Sequence, residues 1–145
     1  MEFKGQIEKA LHDAGITEKV IKRGDVWVIS DELIIFPEER LPKGKRTKHN
    51  ERPALILSCE EDLTSIRPLT AIISPLSTVK IKAVTDFILS AGTGGLLEDS
   101  VARLGLIQPI LKIDLNRKLG TIGSDILDQI MTVVLCNLGV LQRNK

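Results

Sequence analysis

Short apolar segments rich in β-branched residues, separated by turn-forming residues, constrain the fold of this chain more than any other feature. The clearest such segments are Val26–Ser30, Pro53–Ser58, Thr70–Ser74 and Ser100–Ile107, and two weaker ones are Lys80–Thr85 and Asp86–Leu89. Residues of these types fit a pleated, half-buried strand, and short strands with frequent turns are typical of a small barrel. The pattern therefore predicts a mainly β chain with helices (α+β), built on a small β-barrel.

The C-terminal segment changes from strand to helix periodicity. Apolar residues recur at helical spacing from Ile126 to Leu138, with Ser124 before them as a candidate N-cap and Gly139 after them as a candidate helix stop. This amphipathic helix is expected to cover a barrel face or a partner subunit. Residues 2–13 predict an extra N-terminal helix. We therefore expect one domain over residues 1–145, with a helical appendage at 1–20 and the barrel at 21–140.

Two further segments are predicted to be loops. Residues 31–51 contain Pro37, Pro42 and Gly44 and are interpreted as a long polar connection. The segment Gly92–Gly95 lacks the Gly-Lys-Ser/Thr ending of a phosphate-binding P-loop, so we interpret it as a flexible turn.

Composition excludes several classes of protein. The two cysteines, Cys59 and Cys136, form neither a CxxC motif nor a cluster with histidine, so we expect no metal site, no cofactor and no disulfide framework. Because no apolar leader and no membrane-length apolar stretch occurs, we expect a cytoplasmic protein that does not contact a membrane. Aromatic residues make up only 3% of the chain, too few for a base-stacking platform.

The net charge is +1, but cations are concentrated in residues 40–52, which carry six Lys or Arg residues and one His against one Glu. Such a local cluster can bind an anion even when the whole protein is nearly neutral. We interpret the segment as a mobile flap that grips phosphates, and a solvated surface loop is the alternative. The candidate contacts are Lys43, Lys45, Arg46, Lys48 and His49.

Arg52 directly precedes Pro53 and a strongly apolar strand. Because proline pushes the residue before it toward extended geometry, Arg52 is predicted to begin this strand. A guanidinium fixed there can hold two phosphate oxygens at once, and an ordinary surface arginine is the alternative. We expect the side chain near the surface, so that its truncation costs little stability. The hydroxyl residues of Ser74–Thr78 follow the third strand, where they either form a turn or bind phosphate.

Five motifs follow one another along the chain: Arg23–Trp27, Arg52–Ser58, Thr70–Ser77, Asp99–Leu104, and Ile122 through the last helix. Their content and order resemble the MazF/PemK family of toxins from type II toxin–antitoxin systems, over residues 20–140. The resemblance implies an SH3-like barrel, a homodimer, cleavage of single-stranded RNA at short sequences, and neutralisation by a cognate antitoxin.

The resemblance also implies an active site. The family's usual pair is the Arg of an Arg-Pro motif and a Thr after the third strand, which match Arg52 and Ser77 here. Arg103 is a further catalytic candidate, and Thr78 and Gln108 join the candidate RNA contacts. Ser77 keeps the hydroxyl group of the family's Thr and loses only the methyl group.

The sequence does not identify the group that moves the proton. The acidic-Gln-Ile-Arg-Thr segment that many family members carry is replaced here by Leu106–Ile110. His49 is the remaining candidate base, because histidine titrates in the required range. We expect metal-independent cleavage by attack of the RNA 2′-hydroxyl on the adjacent phosphate, since no cluster of metal ligands occurs.

Two other functions stay open at this stage. Gyrase poisons of the CcdB type share the barrel and act by binding a protein, and an inactivated module would keep only the fold. RNA cleavage by the purified protein, without gyrase, would separate the predicted endoribonuclease from both.

Overall fold

A curled antiparallel sheet, or half-barrel, is the main feature of the computed structural model, which describes residues 5–6, 9–10, 19–78 and 82–144. Within these ranges its strands are β1 (Asp25–Ser30), β2 (Glu51–Ile56), β3 (Thr70–Ser77), β4 (Phe87–Leu89), β5 (Ser100–Ala102), β6 (Gln108–Leu111) and β7 (Arg117–Thr121). They lie in the order β4-β5-β3-β2-β1-β7, and β6 pairs with the first half of β3. The helices are α1 (Glu60–Thr64) and α2 (Ser124–Asn137).

Strand β1 lies between two hydrophobic cores, which explains why its sequence is apolar on both faces. Trp27 and Ile29 point into one core together with Ile56. Val26 points into the other core, where it meets Leu55 and the buried face of α2. Alternate residues of a strand point to opposite sides, so a strand covered on both sides reads as a continuous apolar run.

The predicted fold class, mainly β with a C-terminal helix, is confirmed. Helix α2 begins at Ser124, with Gly123 as the residue before its first turn. Gly139 has a φ of 78°, which lies in the left-handed region that favours glycine as a helix stop. The predicted N-terminal helix lies outside the described residues except at positions 5–6 and 9–10.

Three predicted strand boundaries are wrong. The third strand does not end at Ser74 but continues to Ser77. The segment Ser100–Ile107 is not one strand, because β5 ends at Ala102 and a 3-10 turn occupies residues 104–106. Of the predicted strand Lys80–Thr85, residues 80 and 81 lie outside the described part, and residues 82–85 form irregular backbone and a turn.

The segment 31–51 is not a purely polar connection. It contains 3-10 turns at Asp31–Leu33 and Pro37–Arg40. Between them, Ile34 and Phe36 are buried in the same core as Trp27. The chain after β1 therefore folds back over the sheet and covers one core, which brings charged residues of this segment against the start of β2.

The segment Gly92–Gly95 packs against β7, which the prediction of a flexible turn did not anticipate. Gly94 and Gly95 have φ values of 59° and 77°, and a Cβ atom at Gly95 would overlap the carbonyl oxygen of Leu119. Only glycine allows this close approach of two backbones.

Candidate active site

A pocket of 390 Å³ opens where β2 begins and β3 ends. Ten residues from four parts of the chain line it: Phe36, Glu38, Gly44, Arg46, Thr47, His49, Arg52, Ser77, Thr78 and Arg103. The pairing of Ala54 with Pro75, continued by two residues, places Arg52 opposite Ser77. Directly opposed residues of an antiparallel pair share a face, so the register itself brings this arginine and this hydroxyl together.

Arg52 is held rigidly and is not a surface residue. Only 8% of the residue is exposed. Its Nε donates to Oδ1 of Asp31 at 2.7 Å, and its Nη1 donates to the carbonyl oxygen of Leu76 at 2.9 Å. The expectation that truncation of Arg52 costs little stability is therefore wrong, because removing one partner of a buried ion pair typically costs about 3–5 kcal/mol.

Asp31 is the carboxylate on which this side of the pocket depends, and the sequence analysis missed it. It directly follows β1 and is fully buried. Its Oδ2 accepts hydrogen bonds from Nη1 of Arg46 at 2.6 Å and from the backbone N–H of His49 at 2.8 Å. Burial alone would raise the pKa of this carboxyl, but the hydrogen bonds from Arg52 and Arg46 outweigh it and hold the pKa well below its usual value.

The ring of Phe36 is a platform for three guanidinium groups. The Cζ atoms of Arg46, Arg52 and Arg103 lie 4.1, 5.0 and 5.9 Å from its centroid. Cations within about 6 Å of a ring face are attracted by its quadrupole. Phe36 is itself buried, so the ring serves mainly to hold these arginines together.

Arg103 reaches the pocket from the residue after β5 and not from within a strand. Its Nη2 donates to Oε1 of Glu38 at 3.0 Å, and its Nε lies 3.6 Å from Oδ2 of the buried Asp86. The 3-10 turn at Pro37–Arg40 therefore supplies a carboxylate directly to this arginine.

Ser77 is the last residue of β3, not a turn residue. It pairs with Val101 on β5 and is 9% exposed. The residue lines the pocket, and its Oγ is buried and has no hydrogen-bond partner among the described residues. A buried hydroxyl normally finds a partner, so this Oγ is a donor left unsatisfied beside the pocket.

The cations of the loop divide into two groups. Arg46 is committed to the protein, because it pairs with both Asp31 and Glu39. Lys43, Lys45 and Lys48 are exposed and do not line the pocket. Arg46 nevertheless lines the pocket, and its contact with RNA phosphates stays a prediction.

Gln108 does not lie in the pocket. Its Oε1 accepts from the backbone N–H of Ile35 at 2.8 Å, and its Nε2 donates to the carbonyl oxygens of Ile35 and Leu106 at 3.0 and 2.9 Å. This side chain thus fastens the loop after β1, and its contact with RNA stays a prediction.

A second pocket of 320 Å³ adjoins the first and shares Arg52 and Thr78 with it. Its lining is more apolar and includes Val28, Pro53 and Leu119. Among the described residues, no group of three or more His, Cys, Asp or Glu side chains could hold a metal ion. In the same residues, no helix is long and apolar enough to cross a membrane.

Comparisons with known proteins agree with this geometry. A family model for the PemK-like, MazF-like toxin of type II toxin–antitoxin systems matches residues 22–136. No curated protein matches the chain significantly.

Among solved structures, the fold is similar to a mycobacterial endoribonuclease in complex with its cognate antitoxin, with 19% identity, a TM-score of 0.61, and coverage of 85% of this chain and 99% of that one. It is also similar to MazE–MazF (Form-II) from Deinococcus radiodurans, with 16% identity, a TM-score of 0.60, and coverage of 83% and 97%. At such identities the likeness is one of fold, and function has to be argued from the site.

Proposed function

We propose that this chain, which belongs to the PemK-like and MazF-like toxin family of type II toxin–antitoxin systems, is an endoribonuclease that cuts single-stranded RNA at short sequences without a metal ion. The family membership predicted from the sequence is confirmed. The observation that carries the proposed activity is the unpartnered Oγ of Ser77, which lies in one pocket with Arg52 and Arg103. A hydroxyl and two guanidinium groups around one cavity form a binding site for a phosphodiester.

The reaction that fits this pocket is an internal transfer of the phosphodiester. The 2′-hydroxyl of the RNA loses its proton and attacks the adjacent phosphorus, the bond to the 5′-oxygen breaks, and that oxygen takes up a proton. Arg52 and Arg103 would stabilise the negative charge that develops on the phosphorus oxygens, and Ser77 would donate to one of them. Losing one such preorganised donor commonly costs about 10²–10³ in rate.

Two titratable side chains that line the pocket could move the protons. His49 was the candidate from the sequence, and Glu38 joins it because the turn after Phe36 carries it into the same cavity. Three other carboxylates contact the pocket arginines, those of Asp31, Glu39 and Asp86, and none of these residues lines the pocket. We therefore assign proton transfer to Glu38 and His49.

The proposed partners are single-stranded RNA, a second copy of this chain and a cognate antitoxin. The exposed Lys43, Lys45 and Lys48 flank the pocket in sequence and would hold RNA phosphates, with Thr78 at the pocket wall. An acidic segment of an antitoxin could occupy the same surface, because it offers similar charge.

The test is cleavage of defined single-stranded RNA by the purified protein in excess EDTA, with the cut positions mapped by primer extension. We expect a 5′-hydroxyl and a cyclic phosphate at each cut, and no cut where the 2′-hydroxyl is replaced by hydrogen. Arg52→Lys keeps the charge beside Asp31 but not the fork geometry, so it should lower the rate about 10²–10³-fold. Arg143→Ala, which changes an exposed arginine outside both pockets, is the matched control.

Cleavage of the deoxy-substituted RNA, or full activity of Arg52→Lys, would contradict the proposed mechanism. A requirement for a divalent ion would contradict its metal independence. A protein that cuts no RNA at all would refute the enzymatic function itself.

A further inference from the structure

The hydrogen bonds of Arg52 show which of its N–H groups are left for a ligand. Nε and one hydrogen of Nη1 are used by Asp31 and by the carbonyl oxygen of Leu76, at 2.7 and 2.9 Å. Nη2 is only weakly engaged, 3.5 Å from Oδ2 of Asp31. A guanidinium carries five N–H donors in a fixed fork. The end formed by Nη1 and Nη2 therefore keeps donors that can meet two oxygens of one phosphate.

We propose that Asp31 is a positioning residue that acts through Arg52: it fixes the rotation of the guanidinium so that the Nη1–Nη2 end faces the pocket. The inference rests on the proposed function. Asp31 is fully buried and does not line the pocket, so it cannot touch the substrate and can influence the reaction only through its partners.

The same carboxylate also ties the pocket residues of the β1–β2 loop to Arg52. One oxygen, Oδ1, serves Arg52, and the other serves Arg46 and the backbone N–H of His49. Arg52, which is 21 positions from Asp31 along the chain, and His49, which is 18 positions away, are thus bound to the same carboxylate. The buried carboxylate of Asp31 therefore holds Arg46 and the backbone of His49 at a fixed distance from Arg52.

Asp25 is a matched control for Asp31, because the two aspartates lie at opposite ends of β1. Asp25, the first residue of β1, is also fully buried and also accepts several hydrogen bonds, from Trp27, Thr121 and the backbone of Lys22. It lines neither pocket and contacts none of the pocket arginines in the described structure. Loss of its charge should affect folding without affecting Arg52.

The experiment is a double-mutant cycle on steady-state cleavage, with Asp31→Asn, Arg52→Lys and the double variant, each normalised to its folded fraction. We expect Asp31→Asn to lower kcat by about 10–100-fold, as loss of a partner that orients a functional group does, with a smaller change in KM. In the Arg52→Lys background the same substitution should change kcat by less than about threefold, because residues in one network are not additive.

The control cycle uses Asp25→Asn. It should leave kcat per folded molecule unchanged, alone and together with Arg52→Lys. A third variant separates charge from packing: Asp31→Glu keeps the charge but adds a methylene group, so it should be milder for kcat than Asp31→Asn if Asp31 orients Arg52. The opposite order is expected if Asp31 only fills space. If Asp31→Asn does not fold at the assay temperature, the cycle is run with Asp31→Glu, which also predicts non-additivity.

The inference is overturned if the losses from Asp31 and Arg52 multiply, or if folded Asp31→Asn cuts RNA at the wild-type rate. If the wild type cuts RNA but the cycle is additive, only the role of Asp31 fails. If the wild type cuts no RNA, the proposed function fails first and the role of Asp31 fails with it.

Discussion

Each guanidinium at the pocket is balanced by a carboxylate from the chain that follows β1 or precedes β4. Asp31 serves Arg46 and Arg52, while Glu38 and Asp86 serve Arg103. Three cations around one phenylalanine ring would otherwise repel one another, since the interior screens charge poorly. These acids leave the arginines fixed in position, with donors still directed into the cavity, which is the arrangement that electrostatic catalysis needs.

The hydroxyl of Ser77 should serve the reaction at the expense of stability. Because its buried Oγ has no partner among the described residues, and an unsatisfied buried group costs about 1–3 kcal/mol, Ser77→Ala should raise the melting temperature while it lowers kcat about 10–100-fold. Ser74→Ala is the control: this buried hydroxyl in the same strand contacts the carbonyl oxygen of Pro75 at 3.3 Å. The prediction is tested by measuring the melting temperature and the cleavage rate of both variants. A loss of stability in Ser77→Ala would mean that the hydroxyl has a structural partner.

Acid should weaken the fold through Asp31. Its pKa is lowered in the folded protein by the hydrogen bonds from Arg52 and Arg46, which outweigh the opposing effect of burial. The resulting stability is fully present above the unfolded pKa of about 3.9 and is lost as the pH falls toward the folded pKa. Urea unfolding between pH 5 and pH 2.5 should show a steeper loss for the wild type than for Asp31→Asn, by up to about 1.4 kcal/mol per pH unit.

The exposed Glu32, one residue further along, provides the control for this pH dependence. Glu32→Gln should follow the wild-type curve. Parallel curves for Asp31→Asn and the wild type would show that the Asp31 carboxyl contributes nothing to acid stability.

At this scale the sequence identified several arginines and hydroxyls but not the residues that orient them. Arg52, Ser77 and Arg103 come together because strand pairing places them there, and the motif order of the chain reflects that pairing. Asp31 and Glu38 were missed because their partners lie 21 and 65 positions away. A carboxylate directly after a buried strand was the available signal, since a charge at such a position needs a partner.

The loop between β1 and β2 behaves as a structural element and not as a linker. Phe36 fixes it to the core, Gln108 holds Ile35 from β6, and Asp31 holds the backbone of His49. Within the loop, a Cβ atom at Gly44 would overlap the carbonyl oxygen of Glu38. The loop therefore folds so that Gly44 packs against the backbone of Glu38, and both Glu38 and Arg46 line the pocket.

Gly44→Ala should disturb this element without removing any reacting group. The added methyl group must push the turn at residues 37–40 away from residue 44, so Glu38 and Arg46 move relative to Arg52. A displacement of about 1 Å commonly costs about 10²-fold in rate, and we expect a loss of this order in kcat/KM. Gly123→Ala is the control, because a Cβ atom there meets nothing within 4 Å. Equal activity of both variants would show that the position of the loop does not matter for cleavage.

Elements with a strong periodic signal could be predicted from the sequence, and weak ones could not. Helix α2 and strands β1 to β3 carry long apolar patterns, and their existence was predicted. Strand β7 was missed because its residues are half-buried or exposed and Gly120 must stay small to let Gly94 approach. The segment after β1 was misread because its buried Ile34 and Phe36 belong to a short apolar stretch, with exposed Ile35 between them and charged residues on either side.

Dimer formation is a prediction for the whole molecule. Ile130 and Val134 of α2 and all of β5 are buried within the subunit. Apolar residues elsewhere are exposed instead, above all Leu97, at 95%. Sedimentation at about 10–50 μM, where even weak dimers form, should give twice the mass of the 16.0 kDa chain. A monomer across this range would contradict the prediction.

RNA capture should depend on the exposed lysines of the loop and not on the net charge of +1. Arg46 is committed to Asp31 and Glu39, whereas Lys43, Lys45 and Lys48 are exposed. For single strands, the logarithm of the binding constant falls with the logarithm of salt concentration by about 0.7 per neutralised phosphate. Replacing the three lysines together by alanine should therefore flatten the slope by about two units. The cut positions should not change, because phosphate contacts position RNA and carry little sequence information.

The control for this measurement removes the same charge elsewhere, with Lys22, Lys82 and Arg143 changed to alanine; these exposed residues line neither pocket. If the cluster acts locally, the control should keep the wild-type slope to within about half a unit, since only cations that touch phosphate release counterions. If both triple variants flatten the slope equally, the overall charge attracts RNA and the loop has no special part in capture. If neither does, the lysines are only solvated surface residues, and affinity for RNA comes from the arginines inside the pocket.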